Sequence, residues 1–154
     1  MSRAFVREDD SDGIEVLPDR PVSEHPNLVT EMGLMQIEAA LAKARAAHSR
    51  AQASLDRSSM SAAARELRYW NARRASAQLV PVSDDRAQIR FGATVTIGRN
   101  DGRQQTFRIV GEDEADPAKG SISYVSPLAR ALLGKAVGDV VRAGSNDAEI
   151  TLIA

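Results

Sequence analysis

Seam positions recur every three or four residues from Leu34 onward: Leu34, Ile37, Leu41, Ala44, His48, Ala51 and Leu55 follow a 3, 4, 3, 4, 3, 4 spacing. That period predicts a helix facing a partner helix, and its small residues favour close approach. Thr30 is expected to be the N-cap, with Gly33 an imperfection in the first turn. The pattern stops at Asp56-Arg57-Ser58-Ser59, a polar cluster suited to a turn and a second N-cap. A second helix is expected from about Ser59 to Leu79, with Met60, Ala63, Leu67, Trp70 and Ala77 on or near one face. Two helices joined by so short a turn make an antiparallel hairpin. At ~1.5 Å per residue, the first of them spans roughly 37 Å. Such an arm projects from something else, because two helices alone form a thin core.

Beyond residue 85 the period shortens to two. Phe91, Ala93, Val95 and Ile97 alternate with Gly92, Thr94 and Thr96, the mark of a half-buried strand. Asn100-Asp101-Gly102 is a hairpin turn signal, and Gln105–Val110 reads as the returning strand. Asp116-Pro117 and Gly120 mark another turn before a third strand over Ser121–Val125. Ser126 and Pro127 suit the start of a short helix, Leu128–Leu133, ended by Gly134. Val137, Val140 and the stretch Glu149–Ile153 supply two more strands. The expected fold class is α+β: an N-terminal antiparallel coiled-coil hairpin, then an antiparallel sheet with one short helix against it.

Charge divides the chain at the same places. Residues 1–27 carry a net charge of −4, residues 28–83 +4 and residues 84–154 −1. The expected organisation is therefore an acidic, Pro-containing flexible tail over 1–27, a hairpin over 28–83 and a globular domain over 84–154. The tail holds Pro18, Pro21 and Pro26 and almost no apolar repetition, too little to offset its ordering entropy. The arginine-rich arm could attract phosphate, although a solvated helix surface is the simpler reading. With no cysteine in the chain, disulfides, thiol catalysis and Cys-ligated metals are excluded. No apolar run approaches the ~20 residues of a membrane helix, and the acidic N-terminus lacks a signal-peptide core, so a cytoplasmic protein without a membrane partner is expected.

Catalytic arrangements are scarce. His25 and His48 lie in the tail and the arm, away from the sheet domain, which makes Ser–His–Asp chemistry hard to build. Trp70, flanked by Tyr69, reads as an anchor of the hairpin rather than a base-stacking platform. Glu112-Asp113-Glu114 with Asp116 could hold a divalent cation, although a solvated loop between strands is the simpler reading. An isomerase-like pocket would need more aromatic lining than Phe91, Phe107 and Tyr124 provide. The protein is not expected to be an enzyme.

Three blocks then resemble a known family. Thr106–Asp116 (TFRIVGEDEAD), Ser126–Lys135 (SPLARALLGK) and Val137–Val140 (VGDV) are similar, in order and spacing, to the C-terminal domain of the bacterial Gre transcription elongation factors. Val29–Leu34 (VTEMGL) resembles the opening of that family's first coiled-coil helix. The resemblance covers roughly residues 28–154 and implies an FKBP-like globular domain behind a coiled-coil arm. It implies bacterial RNA polymerase as partner, bound at the secondary channel, with transcript RNA and DNA met only indirectly inside the elongation complex. By the same resemblance Ser126 and Pro127, with Arg130 in the helix that follows, fall on the polymerase-binding surface. No cofactor of its own is implied; the arm tip of active members assists the Mg²⁺ held by the polymerase.

The tip departs from the family pattern. Active members carry an Asp, two further residues, then Glu-Asn-Ala-Glu-Tyr. Here Asp56 matches the Asp, Ser59 stands at the Glu, and Met60-Ser61-Ala62-Ala63 replaces the rest. A hydroxyl cannot supply a carboxylate's charge to a metal. The expectation is a polymerase-binding elongation factor with weak or absent stimulation of RNA cleavage. The alternative is a nucleic-acid-binding protein using Arg57, Arg65 and Arg68 of the arm, favoured if the arginines form one free stripe away from Trp70.

Overall fold

A computed structural model of the chain describes residues 17–154. Residues 1–16, and with them most of the expected tail, lie outside the described residues. Alanine-rich sequence and a capped start make the first helix, α1 (Glu31–Ser54): the Thr30 side chain accepts from the Gly33 N–H at 3.0 Å, and Glu31 sits where the helix dipole favours an acid. α1 ends at Leu55, which adopts a left-handed conformation (φ 55°) and is 82% exposed. Leu55 therefore closes the helix instead of continuing the seam as its spacing suggested. The second helix, α2 (Arg57–Ser76), begins two residues before the expected Ser59, because Asp56 serves as its N-cap.

The two helices pack as an antiparallel hairpin through Ile37, Leu41, Ala44 and Ala51, all buried. Its open end is tied by a feature the pattern did not announce. Leu28–Val29 (β1) and Gln78–Leu79 (β2) pair in parallel, clamping the chain as it enters and leaves the arm. Among the described residues no helix is long and apolar enough to cross a membrane.

Five strands follow: β3 (Thr94–Arg99), β4 (Gln104–Val110), β5 (Ser121–Ser123), β6 (Val140–Ala143) and β7 (Asn146–Ile153), in sheet order β5-β4-β3-β7-β6. Alternation buries Val95, Ile97, Ile109, Val141 and Ile150 on one face. The short helix α3 (Pro127–Leu132) covers that face with Ala129 and Leu132. The architecture is the expected one, a helical hairpin and then a sheet domain with a single short helix.

Details differ where side-chain alternation is a poor guide. β4 and β5 run parallel, since a 3-10 turn over Pro117–Lys119 carries the chain back across the sheet end. Phe91 and Ala93 precede β3 in place of lying within it, and Phe91 packs edge-to-face on Tyr124 with ring centres 5.7 Å apart. Val137 lies in an exposed turn closed by Gly138.

Candidate functional site

The arm tip is built by its caps. Asp56 Oδ1 accepts from the Ser58 N–H at 3.2 Å, and Oδ2 accepts from the Ser59 hydroxyl at 2.6 Å. These hydrogen bonds, the Ser59 one foremost, hold the Asp56 carboxyl below its ordinary value, so it is ionised at neutral pH. The two expected tip residues thus meet, but as a capping pair: the hydroxyl is turned onto the carboxylate it neighbours. Within 55–63, Asp56 is the only acid. Leu55 stands beside it with an apolar side chain in the open. A bulky residue in the left-handed region costs about 1–2 kcal/mol, which makes this the one such non-glycine position among the described residues.

At the base of the arm, the acidic loop is neither a solvated connection nor a metal cage. It is a socket for the arm. Asp113 accepts from Arg73 Nε at 2.6 Å and from the Tyr69 hydroxyl at 2.5 Å. Arg73 is 2% exposed and also donates to Asn27 Oδ1 at 2.8 Å, while Asn27 returns a bond to the Arg73 carbonyl. Glu114 accepts from Thr30 Oγ1 at 2.7 Å. The Tyr124 hydroxyl reaches the Pro26 carbonyl. Burial, reinforced by Asp113, pushes the Tyr69 phenol up to about 12. Burial and the charge of Glu112 likewise raise Tyr124. Among the described residues, no three His, Asp or Glu side chains gather where a metal could sit.

Two glycines let the socket close. A Cβ on Gly111 would stand 2.3 Å from the Leu28 carbonyl oxygen, and one on Gly33 would stand 2.9 Å from Glu114 Oε2. In the sequence the acidic run and Tyr69 stand far apart. Their partnership spans about forty residues of chain and left no local signal.

Ser126 caps α3, its hydroxyl accepting from the Ala129 N–H at 3.3 Å, and Pro127 fills the first helical position. Pro127 and Arg130 are exposed on the outer side of this helix, while Ala129 is buried against the sheet. The three residues thus share one short surface element.

The arginines of the arm do not form a free stripe. Arg68 pairs with Asp19 at 2.7 Å, Arg65 Nε donates to the Pro18 carbonyl at 2.7 Å, and Arg74 pairs with Glu38 at 3.0 Å. Arg73 is in the socket. Arg57 opens α2 at the exposed tip, far from the other four. Arg20 stacks over Tyr69, 3.8 Å from its ring centre, and also reaches Glu66 at 2.8 Å. Trp70, half-buried, packs edge-on to Tyr69.

Comparison with known proteins draws on the sheet domain most strongly. The family described as "Transcription elongation factor, GreA/GreB, C-term" matches residues 84–153. Transcription elongation factor GreA of Thioalkalivibrio sulfidiphilus is 43% identical over 89 residues, covering 53% of this chain and 56% of the relative. GreA of Hyphomonas neptunium is 59% identical over 54 residues, 34% of either chain. GreB of Neisseria meningitidis serogroup B is 56% identical over 54 residues, 35% of this chain and 33% of the relative. The matched part thus spans from a third to somewhat over half the length of these relatives. Among solved structures, GreA factor homolog 1 (Gfh1) of Thermus thermophilus is 21% identical, over 84% of this chain and 99% of that one, at a TM-score of 0.42, too low to establish a shared fold.

Proposed function

We propose that this chain, whose residues 84–153 match the GreA/GreB C-terminal domain, is a Gre-type elongation factor binding bacterial RNA polymerase at the secondary channel. The sheet domain holds the polymerase, with Ser126, Pro127 and Arg130 on the binding surface. The arm enters the channel. It acts on paused or backtracked complexes in the cytoplasm by occupying that channel and does little to stimulate transcript cleavage. The protein supplies no catalysis of its own, in keeping with curated relatives named as transcription elongation factors.

One observation carries the reading of the tip: its single carboxylate is already engaged as a helix cap, with an oxygen on each of two donors. A metal bound between phosphates needs carboxylate oxygens delivered at close range and without competing donors. Asp56 delivers one such group, and the hydroxyl of Ser59 draws on it. Removing a single charge interaction of a few kcal/mol changes a rate by orders of magnitude. The paired arginines give the nucleic-acid reading no comparable support.

The test is an assay of labelled transcript in stalled, backtracked complexes. Wild-type protein is expected to leave cleavage near the polymerase's own rate while displacing a cleaving factor from the same complexes. Ser59→Glu should restore part of the activity, since it adds a second carboxylate one turn into α2. Rapid cleavage by the wild type, unchanged in Asp56→Ala, would overturn the assignment of the tip.

A further inference from the structure

Two turns of the sheet domain lie side by side. The β3–β4 turn, residues 100–103, and the β6–β7 turn, residues 144–145, are neighbours because β3 pairs with β7, Arg99 opposite Ala148. Arg99 is the strut between them: its Nε donates to Gln105 Oε1 at 2.6 Å and its Nη1 to the Ala143 carbonyl at 3.0 Å. A cavity of about 420 Å³ opens there, lined by Arg99, Asn100, Asp101, Arg103, Gln105 and Asn146. Its wall holds no aliphatic or aromatic side chain.

The wall is an array of donors. Arg99 keeps Nη2 to give, Gln105 has its amide NH₂ once Oε1 is taken, and Asn100 and Asn146 add two further amides. The acid in the lining, Asp101, is engaged: Oδ1 accepts from the Arg103 N–H at 3.0 Å and Oδ2 from Arg103 Nε at 2.6 Å. These bonds hold its carboxyl below the ordinary carboxylate value, so it is ionised at neutral pH. Two guanidiniums against one carboxylate leave the lining with one positive charge in surplus.

We propose that this cavity binds a small phosphate or polyphosphate anion. Hydrogen bonds from guanidinium and amide groups are strongest to a charged acceptor, and Arg99 presents its planar fork already fixed. Arg99, Asn100, Arg103, Gln105 and Asn146 offer more donors than the two oxygens of a carboxylate can use, whereas phosphate oxygens can take them. A wall without apolar side chains gives a nucleobase nothing to stack on. The adjoining cavity, which shares Arg99 and Asn100, is lined by Asp147 and Glu149, and these acids repel the continuation of a long polyanion. Both constraints favour a small ligand over a nucleic-acid strand. The site draws nothing from the polymerase reading and stands or falls separately.

Nuclear magnetic resonance of the isotope-labelled full-length protein, titrated with sodium tripolyphosphate at constant ionic strength, tests the site. Amide signals of Asn100, Arg103, Gln105 and Asn146 should shift together and saturate on the order of 1 mM. Inorganic phosphate should move the same signals at higher concentration, since one group engages fewer donors. The two charges of the turn should act in opposite directions. Arg103→Gln removes a guanidinium and leaves Asp101 facing the cavity, so binding should weaken about tenfold. Asp101→Asn keeps an acceptor for the Arg103 N–H and frees the Arg103 side chain, so binding should tighten about fivefold. Both residues are exposed, and the melting temperature is expected to hold in each variant. Absence of saturable shifts at these residues, shifts centred on the arm's arginines instead, or weaker binding by Asp101→Asn overturns the proposal. A short oligonucleotide that moves the same signals at lower concentration than tripolyphosphate would assign the cavity to a nucleic-acid strand and overturn it as well.

Discussion

Arg73 and Asp113 are a buried ion pair whose members come from the arm and the sheet domain. Their attraction has to offset the loss of two hydration shells, and further bonds assist it: Asn27 takes a second Arg73 nitrogen and Tyr69 a second bond to Asp113. Truncating Arg73 leaves Asp113 charged and buried with only the Tyr69 hydroxyl beside it. Arg73→Ala is expected to lower stability by about 3–5 kcal/mol, read as a fall in the denaturant midpoint. Tyr69 adds a pH dependence. Its phenol is held neutral up to about 12 where the unfolded chain ionises near 10. The favoured form is the protonated one, so the stabilisation is complete below pH 10 and fades as pH rises towards 12. Melting temperature should therefore fall across that window in the wild type, and less steeply in Tyr69→Phe.

At the level of elements, the hairpin rests on small residues of α1 and on unequal contributions from its two helices. Leu41 of α1 is buried, whereas Leu67 of α2 keeps part of its surface in water. Leu41→Asp should consequently cost several kcal/mol and lower helicity by circular dichroism, with Leu67→Asp the milder of the two. Spacing alone made the two leucines equivalent. The parallel β1–β2 ribbon escaped notice because two-residue strands carry no periodicity, and its partners lie fifty residues apart. α3 was legible almost to the residue, since a Ser cap followed by Pro states the start of a helix in local chemistry.

For the whole molecule, the socket ties the base of the arm to the sheet domain through Arg73, Tyr69 and Thr30. A body gripped at α3 would then aim the tip, and the two ends should be separable by mutation. Pro127→Asn loosens the first turn of α3 without touching the buried face of Ala129 and Leu132. Affinity for core polymerase is expected to drop about tenfold, corresponding to about 1.4 kcal/mol, while the circular dichroism spectrum stays unchanged. Full affinity in that variant would move the binding surface away from α3.

Short-range chemistry is written in the chain directly: the helical period and its polar break at Asp56, the alternation of Val95, Ile97 and Ile109, the Asn-Asp-Gly turn, and the composition of the tip. Each of these is written within a few residues, as a cap, a turn or a face. The packed fold was needed to reveal what the acidic loop holds, which way the Ser59 hydroxyl turns, and that Leu55 ends α1 in the open. It also decided that most of the arm's arginines are occupied by Asp19, Pro18, Glu38 and the socket. An acid run reads the same whether it faces water, a metal or a buried guanidinium; only the residue brought opposite it by the fold, here Arg73 some forty positions away, selects among them.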